Sequence, residues 1–342
     1  MTDVGKKISV LSFLAMIGVV YIHHNAVGTI EPAPWNAFLQ AFLTRGLTDW
    51  AVPFFFVVSG FWFTRGRYVT GGMSLKDFYA QKARTLLVPY VLWAMIGAVI
   101  CMPVVVFNNH VNGNPILART FLGQDSVFGS LDHLLGLVSN GPAGNLALWY
   151  VRTLLVFFVL APLWKTVLRA GRWLPLAVGL GLVLVHPETW IPSTGLKTGS
   201  FGWLFLGMGL VEEIAANRRL PRGLAVASLV AWVGLSAAKA SGHELCPQLI
   251  PLAGMAGLWS IADWAPWQRD WMRPTFWVYC LHGALAAYFL NGSLYVFGKS
   301  DVVMASVMLI APWANIGFCL LAARIVRRGL PRAYACLTGG RA

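Results

Sequence analysis

Charged residues are scarce in this chain, and acidic residues are the rarer sign. Only 11% of the 342 residues are charged, with 13 Asp and Glu against 26 Lys and Arg. A soluble domain carries about 25% charged residues. The composition therefore excludes an ordinary soluble globular domain.

Signatures of disulfide and metal sites are also missing. The five cysteines are odd in number and never form a C-x-x-C spacing; they are Cys101, Cys246, Cys280, Cys319 and Cys336. Neither H-E-x-x-H nor a P-loop motif occurs. We therefore expect no disulfide framework and no metal, with most cysteines acting as small apolar packing residues.

Long apolar runs dominate what the sequence does contain. Hydrophobic residues make up 57% of the chain, and they gather in runs of roughly 20 residues, enough to cross a bilayer as a helix. This pattern predicts an all-α polytopic membrane protein with about ten transmembrane helices and both termini in the cytoplasm. The predicted spans are 8–28, 47–64, 86–107, 146–164, 173–190, 200–216, 223–241, 246–264, 274–291 and 302–325. We expect the first run to be a retained helix, because it is too long for a signal peptide.

Basic residues are distributed unevenly between the two predicted sides. With the N-terminus in the cytoplasm, 20 Lys and Arg fall in cytoplasmic segments, five fall in outer segments, and Arg152 lies within a span. This is the distribution that the positive-inside rule describes. It accounts for the net charge of +13 without nucleic acid, so the expected partner is a lipid bilayer.

Two adjacent histidines, His23 and His24, lie near the outer end of the first predicted span. An ionisable side chain inside a membrane span is costly and by default marks a functional site. Histidine also exchanges protons near neutral pH. The two rings point about 100° apart around a helix, so we do not expect them to share one role.

Two more ionisable residues fall inside predicted spans. Arg152 is costly there unless it is paired. It either stabilises a developing oxyanion or binds an acidic acceptor, or it forms a structural pair, for example with Asp49. His282 either lines a chamber together with His23 or satisfies a neighbouring helix, and we favour the chamber.

Five short motifs follow one another along the chain. They are V-V-x-x-H at Val19 to His23, V-P-F-F-F-V-V-S-G-F at Val52 to Phe61, L-L-V-P-Y-V-L-W at Leu86 to Trp93, L-W-Y-V-R at Leu148 to Arg152, and V-Y-C-L-H at Val278 to His282. Each motif is mostly apolar. Together, in this order and on ten predicted spans, they resemble the acyltransferase-three family of integral membrane O-acyltransferases.

The resemblance implies one transmembrane acyltransferase domain over residues 1–342. It implies transfer of an acyl group, usually acetyl, from cytoplasmic acyl-CoA such as acetyl-CoA to a hydroxyl of a glycan, for example a polysaccharide, or of a related acceptor. The expected location is a bacterial inner membrane, and no metal is implied. The essential histidine of the family maps to His23. Many members have a basic residue eleven positions earlier, where this chain has Ser12.

Acyl transfer from a thioester to an alcohol requires removal of the alcohol proton as its oxygen attacks. A histidine such as His23 suits that role as a general base. Alternatively, His23 attacks first and becomes an acyl-imidazole carrier. The plainer interpretation of His23 is a buried histidine bonded to a backbone carbonyl. For His24 we prefer a supporting or structural role.

Basic residues at the predicted cytoplasmic face offer a site for the donor. Lys82, Arg84, Arg65 and Arg67 are expected to hold the phosphates of coenzyme A through charge-assisted hydrogen bonds. Arg84 is favoured because it belongs to one of the five motifs. Ordinary positive-inside topology and contacts with lipid headgroups explain the same charges.

Two other functional classes share some of these features. A proton-coupled transporter or exporter of a glycan or acyl compound would use the histidines to carry protons. Such transporters often consist of two matched halves, which this sequence does not show. A structural membrane scaffold explains the spans but gives no purpose to His23, Arg152 or His282. We therefore predict a membrane O-acyltransferase and leave open whether it forms a homo-oligomer.

Overall fold

A computed structural model of the chain describes residues 3–24, 32–112, 126–185, 190–191, 196–243, 246–264 and 269–341. These residues form seventeen α-helices and one pair of short strands. The strands Trp190–Ile191 (β1) and Leu196–Lys197 (β2) pair antiparallel, with Trp190 opposite Lys197. The described architecture is thus almost wholly helical.

The helices follow one another with short connections. They are α1 Asp3–Ile22, α2 Pro34–Ala41, α3 Ala51–Thr64, α4 Leu75–Lys82, α5 Val88–Asn112, α6 Val127–Leu135, α7 Trp149–Val159, α8 Ala161–Arg169, α9 Trp173–Val185, α10 Thr198–Gly209, α11 Val211–Ala216, α12 Arg222–Ala240, α13 Leu249–Trp264, α14 Thr275–Ala287, α15 Ser293–Phe297, α16 Asp301–Gly329 and α17 Pro331–Thr338. Three π-helical turns continue them at Phe42–Leu47, Ala83–Leu87 and Tyr288–Gly292, and two 3-10 turns lie at Leu146–Leu148 and Asp270–Met272.

Six helical segments of the described chain are long and apolar enough to cross a membrane. They are Val4–Ile22, Pro34–Thr64, Leu75–Pro103, Arg222–Ala240, Thr275–Phe297 and Asp301–Gly329. The pair Leu146–Val159 and Ala161–Arg169 makes a seventh if it is one span bent by 64°. Two shorter apolar helices lie at Trp173–Leu184 and Leu249–Asp263. The chain is therefore a helical polytopic membrane protein, while the count of ten spans stays a prediction.

Several helices end at different residues than the sequence predicts. The span predicted at 146–164 is broken at Leu160, because Pro162 lacks the N–H that would continue α7. The span predicted at 200–216 is divided into α10 and α11, which meet at Leu210. Helix α1 ends at Ile22, and residues 25–28 of the first predicted span lie outside the described residues.

Two glycines allow α3 and α10 to pack backbone against backbone. A Cβ atom at Gly60 would collide with the carbonyl oxygen of Leu204, and one at Gly207 would collide with that of Val57. Small residues are the usual means of such close helix approach in membranes. This crossing fixes α3, which supplies one wall of the site described below.

Lys7 of α1 is buried inside the helical bundle and forms an ion pair there. Lys7 is one of the 20 basic residues counted in the predicted cytoplasmic segments. Its side chain is 4% exposed and its Nζ lies 2.6 Å from a carboxylate oxygen of Asp263. Its Nζ also donates to the side chain of Asn217 and lies over the ring of Trp259. Lys7 therefore ties α1 to α13 through a buried ion pair.

Candidate active site

His23 lies immediately after the last residue of α1 and faces a small cavity. Its backbone N–H donates to the carbonyl oxygen of Val20 over 3.2 Å, which fixes the residue as a continuation of the helix. The inner cavity has a volume of about 110 Å³ and is lined by Val19, Ile22, His23, Val52, Phe55, Ala147, Trp149, Tyr150 and Tyr279. His23 is thus the one histidine in the described lining of an otherwise mainly apolar chamber.

His282 of α14 lies beside His23 but is not among the lining residues of the inner cavity, so its role in the chamber stays a prediction. The two ring centroids are 5.2 Å apart, with 58° between the ring planes. The Nδ1–H of His282 donates to the carbonyl oxygen of Val278 over 3.1 Å, so Nε2 of the neutral ring carries the free lone pair. Within the described chain this buried Nε2 has no hydrogen-bond partner. It is therefore available to accept a proton or a hydrogen bond.

His24 has a different environment from its neighbour. It is fully buried, and its Nδ1–H donates to the carbonyl oxygen of Val20 over 2.7 Å. Its Nε2 is then the acceptor for the amide of Asn315, 3.4 Å away. The bond to Val20 fixes the ring on the end of α1, and the bond to Asn315 joins that end to α16. The structural role of His24 stays a prediction.

Asn315 joins the two histidine positions and was not singled out in the sequence. Its amide Nδ2 also donates to the backbone carbonyl oxygen of His282 over 3.1 Å, and its Oδ1 accepts from the thiol of Cys319. A polar amide within the apolar run 302–325 was the signal that could have identified it.

A second, larger cavity opens on the other side of the same aromatic residues. This basic cavity has a volume of about 420 Å³ and is lined by Ser9, Ser12, Phe55, Ser59, Trp62, Phe63, Lys82, Leu86, Tyr150, Val151, Leu154, Phe158, Arg273, Thr275, Phe276, Tyr279 and Arg341. Three of these residues are cationic and none of the described lining residues is acidic. Such a lining suits an anionic ligand with an apolar portion.

Phe55, Tyr150 and Tyr279 line both cavities and form the constriction between them. The hydroxyl of Tyr150 lies 2.8 Å from Oγ of Ser59, and the hydroxyl of Tyr279 donates to the carbonyl oxygen of Ala147. These bonds hold the two aromatic rings in place.

The two cavities follow one another along α1. Ser12 lines the basic cavity and His23 lines the inner cavity. Their separation of eleven residues corresponds to roughly 16 Å along a helix. An elongated ligand could therefore reach from the cationic region to His23.

The four predicted donor-binding cations do not all reach the basic cavity. Lys82 lines it, and its Nζ lies 4.0 Å from the ring centroid of Phe158. The other three, Arg84, Arg65 and Arg67, are exposed and are not among its lining residues. Their role in donor binding stays a prediction.

Arg273 and Arg341 line the basic cavity but were not predicted to bind the donor. Arg273 also pairs with Asp270, with 3.0 Å between the charged atoms. The sequence distinguished neither arginine from the other residues of the predicted cytoplasmic side, because only the fold brings them next to Lys82.

Arg152 is buried but lies away from both cavity linings. Its guanidinium donates to the carbonyl oxygen of Gly136 over 2.7 Å and to that of Ser139. Asp49, suggested as its partner, binds Lys239 over 2.8 Å. Arg152 therefore orders the segment that follows α6, and its catalytic role stays a prediction.

The described site thus combines a histidine in a small, mainly apolar cavity with a larger cavity that is lined by three cations. The acyltransferase-three family model, described as an acyltransferase domain, matches residues 6–324, nearly the whole chain. The chain belongs to this family and is a membrane acyltransferase that transfers groups other than aminoacyl groups. Comparisons with curated proteins and with solved structures find no match.

Proposed function

We propose that this protein is an O-acyltransferase that moves an acetyl group from acetyl-CoA to a hydroxyl group, with His23 at the reacting atoms. The observation that carries the proposal is the position of His23 in a chamber that meets the basic cavity at Phe55, Tyr150 and Tyr279. Acyl-CoA has the matching form, with phosphates at one end, a long flexible arm, and the thioester at the other end.

The positive charge of the basic cavity supports binding of the acyl donor there. Lys82 and Arg273 line the basic cavity, and cations of this kind bind phosphate oxygens through charge-assisted hydrogen bonds. The lining without described acidic residues supports an anionic ligand in preference to a neutral one. The aromatic constriction would then surround the uncharged arm of acyl-CoA.

The size of the inner cavity supports a short acyl group. At about 110 Å³ it has roughly a quarter of the volume of the basic cavity, which is about 420 Å³. An acetyl group and the attacking hydroxyl fit within this space. A long acyl chain would not fit without movement of the surrounding side chains.

His23 has two chemical routes available. As a general base, its ring nitrogen takes the proton of the acceptor hydroxyl while the oxygen forms a bond to the thioester carbon; the C–S bond then breaks and the thiolate leaves and is protonated. As a carrier, the same nitrogen forms a bond to the thioester carbon, the C–S bond breaks and the thiolate leaves and is protonated. The acceptor oxygen then attacks the acyl carbon, the N–C bond breaks, and the hydroxyl proton passes to the released ring nitrogen. His282 is placed to accept a proton or hydrogen bond beside His23 in either route.

The basic residues support an orientation for this reaction. We propose ten spans with both termini in the cytoplasm, so that the basic cavity opens to cytoplasmic acyl-CoA and the acceptor approaches His23 from the outer side. The proposed acceptor is a glycan, such as a cell-surface polysaccharide, and the proposed location is a bacterial inner membrane. The 20-to-5 distribution of basic residues supports this orientation.

The test is transfer of radiolabelled acetyl from acetyl-CoA to a membrane glycan fraction by the purified full chain. His23→Ala is expected to lower the rate by about 10²–10⁴-fold, the range for a lost acid–base group. His243→Ala is the matched control, because His243 is exposed and lines neither cavity. Equal rates for both variants would remove His23 from the mechanism, and failure of the wild type to cleave the thioester would overturn the proposed donor.

A further inference from the structure

The last helix lies beyond the part of the chain that matches the family model. The match ends at residue 324, whereas α17 covers Pro331–Thr338 and is followed by Gly339, Gly340 and Arg341. We refer to residues 331–341 as the terminal segment. This segment folds back onto the bundle and reaches the basic cavity.

Contacts along the whole terminal segment hold it in this position. The indole N–H of Trp93 donates to the carbonyl oxygen of Leu337 over 2.9 Å. The buried ring of Tyr334 stacks on Trp277, with 5.2 Å between the ring centroids. These contacts join the segment to α5 and α14, so its position is defined by aromatic packing and a partly buried hydrogen bond.

Gly339 allows the closest approach of the segment to the bundle. It ends α17 with a φ of +61°, a left-handed conformation that favours glycine. A Cβ atom at this position would also collide with the carbonyl oxygen of Thr85. The turn at Gly339 therefore directs the next residues along the π-helical turn Ala83–Leu87, beside Lys82.

The turn at Gly339 places Arg341 at the basic cavity. Its guanidinium donates to the carbonyl oxygen of Thr85 over 2.8 Å and lies 4.3 Å from the ring centroid of Phe276. It lines the basic cavity together with Lys82 and Arg273. The two hydrogen bonds to Thr85 and Thr338 use one nitrogen, Nη1, and a guanidinium has five N–H donors.

We propose that the terminal segment completes the donor site and that Arg341 binds a phosphate group of acyl-CoA. This inference rests on the proposed function, since it assigns a further binding residue to the same cavity. Lys82, Arg273 and Arg341 come from three separate parts of the chain, and their convergence at one cavity mouth raises the local positive potential. Backbone bonds and the Phe276 ring hold the guanidinium in place before the ligand arrives, which limits the entropy lost on binding.

The test is titration calorimetry of coenzyme A against the purified full chain in phosphatidylcholine nanodiscs. Arg341→Gln is expected to weaken binding about tenfold, consistent with loss of one charge-assisted contact, and Arg341→Lys should recover part of the loss. Arg332→Gln is the matched control, because Arg332 is an exposed arginine of α17 that does not line the cavity. Raising the salt concentration to about 1 M, where the Debye length is about 3 Å, should reduce the difference between wild type and Arg341→Gln.

The outcomes separate the two proposals. If the wild type binds coenzyme A and Arg341→Gln binds it equally well, the role of Arg341 is wrong while the proposed donor stands. If Arg341→Gln weakens binding equally at low and high salt and lowers the melting temperature without ligand, Arg341 is structural and the inference fails. If the wild type itself does not bind coenzyme A, the proposed function fails. Repeating the titration with an anionic phospholipid in place of part of the phosphatidylcholine tests for competition, and loss of coenzyme A binding in those nanodiscs would assign the cavity mouth to lipid phosphates.

Discussion

The ring of His23 lies against the ring of His282, with centroids 5.2 Å apart, although the two residues come from α1 and α14. The backbone carbonyl of His282 is held by Asn315, whose amide also meets His24. One side chain of α16 therefore links both helices that present the histidines. We infer that the site depends on the packing of three helices rather than on the first one alone.

Replacing His282 should separate catalysis from binding. His282→Gln removes the ring that contacts His23 and should lower kcat by about 10²-fold, within the range of lost proton-transfer assistance. The KM for acetyl-CoA should change little, because His282 does not line the basic cavity. Steady-state kinetics with radiolabelled acetyl-CoA measure both constants, and a changed KM with unchanged kcat would refute the assignment.

His24→Gln is the control for that experiment. The buried ring of His24 bonds Val20 and Asn315, so its loss should cost about 1–3 kcal/mol of stability, the penalty for unsatisfied buried groups. The folded fraction should retain a kcat within a few-fold of wild type. A loss of kcat as large as that of His282→Gln would give His24 a direct role in the reaction.

The preference for a short acyl group should depend on Phe55. This side chain lines both cavities, and Phe55→Leu enlarges the space beside His23. We expect the kcat/KM ratio of butyryl-CoA to acetyl-CoA to rise about tenfold, since each methylene in an apolar pocket is worth about 1–3 kcal/mol in discrimination. Competition between the two labelled donors measures this ratio.

Phe54→Leu provides the matched control for acyl selectivity. Phe54 is the adjacent residue of α3, is buried in the core against Trp50, and lines neither cavity. Its replacement should lower stability without changing the ratio of the two donors. An equal change in both variants would mean that acyl selectivity does not arise at Phe55.

Sequence patterns predicted the class of fold and drew attention to His23, because both depend on local features; the catalytic role of His23 stays a prediction. Apolar runs reveal helices, because a chain in a bilayer must form its backbone hydrogen bonds internally. A histidine in such a run is conspicuous, because an ionisable side chain inside a membrane span is energetically costly. The five motifs also led to the acyltransferase-three family, which the family model confirms. The sequence favoured His282 as a residue that lines the chamber. Its ring centroid is 5.2 Å from that of His23, but it is not among the lining residues of the inner cavity, so its role there stays a prediction.

The cationic part of the site could not be predicted in the same way. Arg273 and Arg341 are ordinary members of a large basic set, and only the folding of the terminal segment against α5 places Arg341 in the cavity. Lys7 illustrates the opposite case: positive-inside counting treats it as a flanking charge, but α13 supplies a buried carboxylate for it. The positions of Arg341 and Lys7 depend on contacts between residues far apart in the chain, which the neighbouring sequence does not reveal.

The crossing of α3 and α10 should tolerate no side chain at Gly207. Gly207→Ala places a methyl group against the carbonyl of Val57 and should lower stability by about 1–3 kcal/mol, as overpacking does. Gly181→Ala is the control, because a Cβ there meets nothing within 4 Å, and alanine is the better helix former. In detergent, the melting temperature should therefore fall for Gly207→Ala and rise for Gly181→Ala. Similar shifts in both variants would disprove the close crossing of α3 and α10.

The Lys7–Asp263 pair should be far more costly to break than its single hydrogen bond suggests. Lys7→Met leaves the carboxylate of Asp263, 10% exposed, without its cation, and breaking a buried pair costs about 3–5 kcal/mol. Lys6→Met, at the adjacent exposed position, should cost much less.

The double variant Lys7→Met/Asp263→Leu separates two contributions to stability: the stabilisation by the ion pair, and the destabilisation by an unpaired buried carboxylate in Lys7→Met. It removes both charges and should recover much of the stability lost in Lys7→Met, because apolar replacements of a buried ion pair are often neutral. Thermal unfolding of the wild type, Lys7→Met, Asp263→Leu and the double variant completes the double-mutant cycle. If the double variant is as unstable as the sum of the single ones, the two side chains do not interact, and Lys7 is anchored instead through Asn217 at the end of α11 and Trp259 of α13.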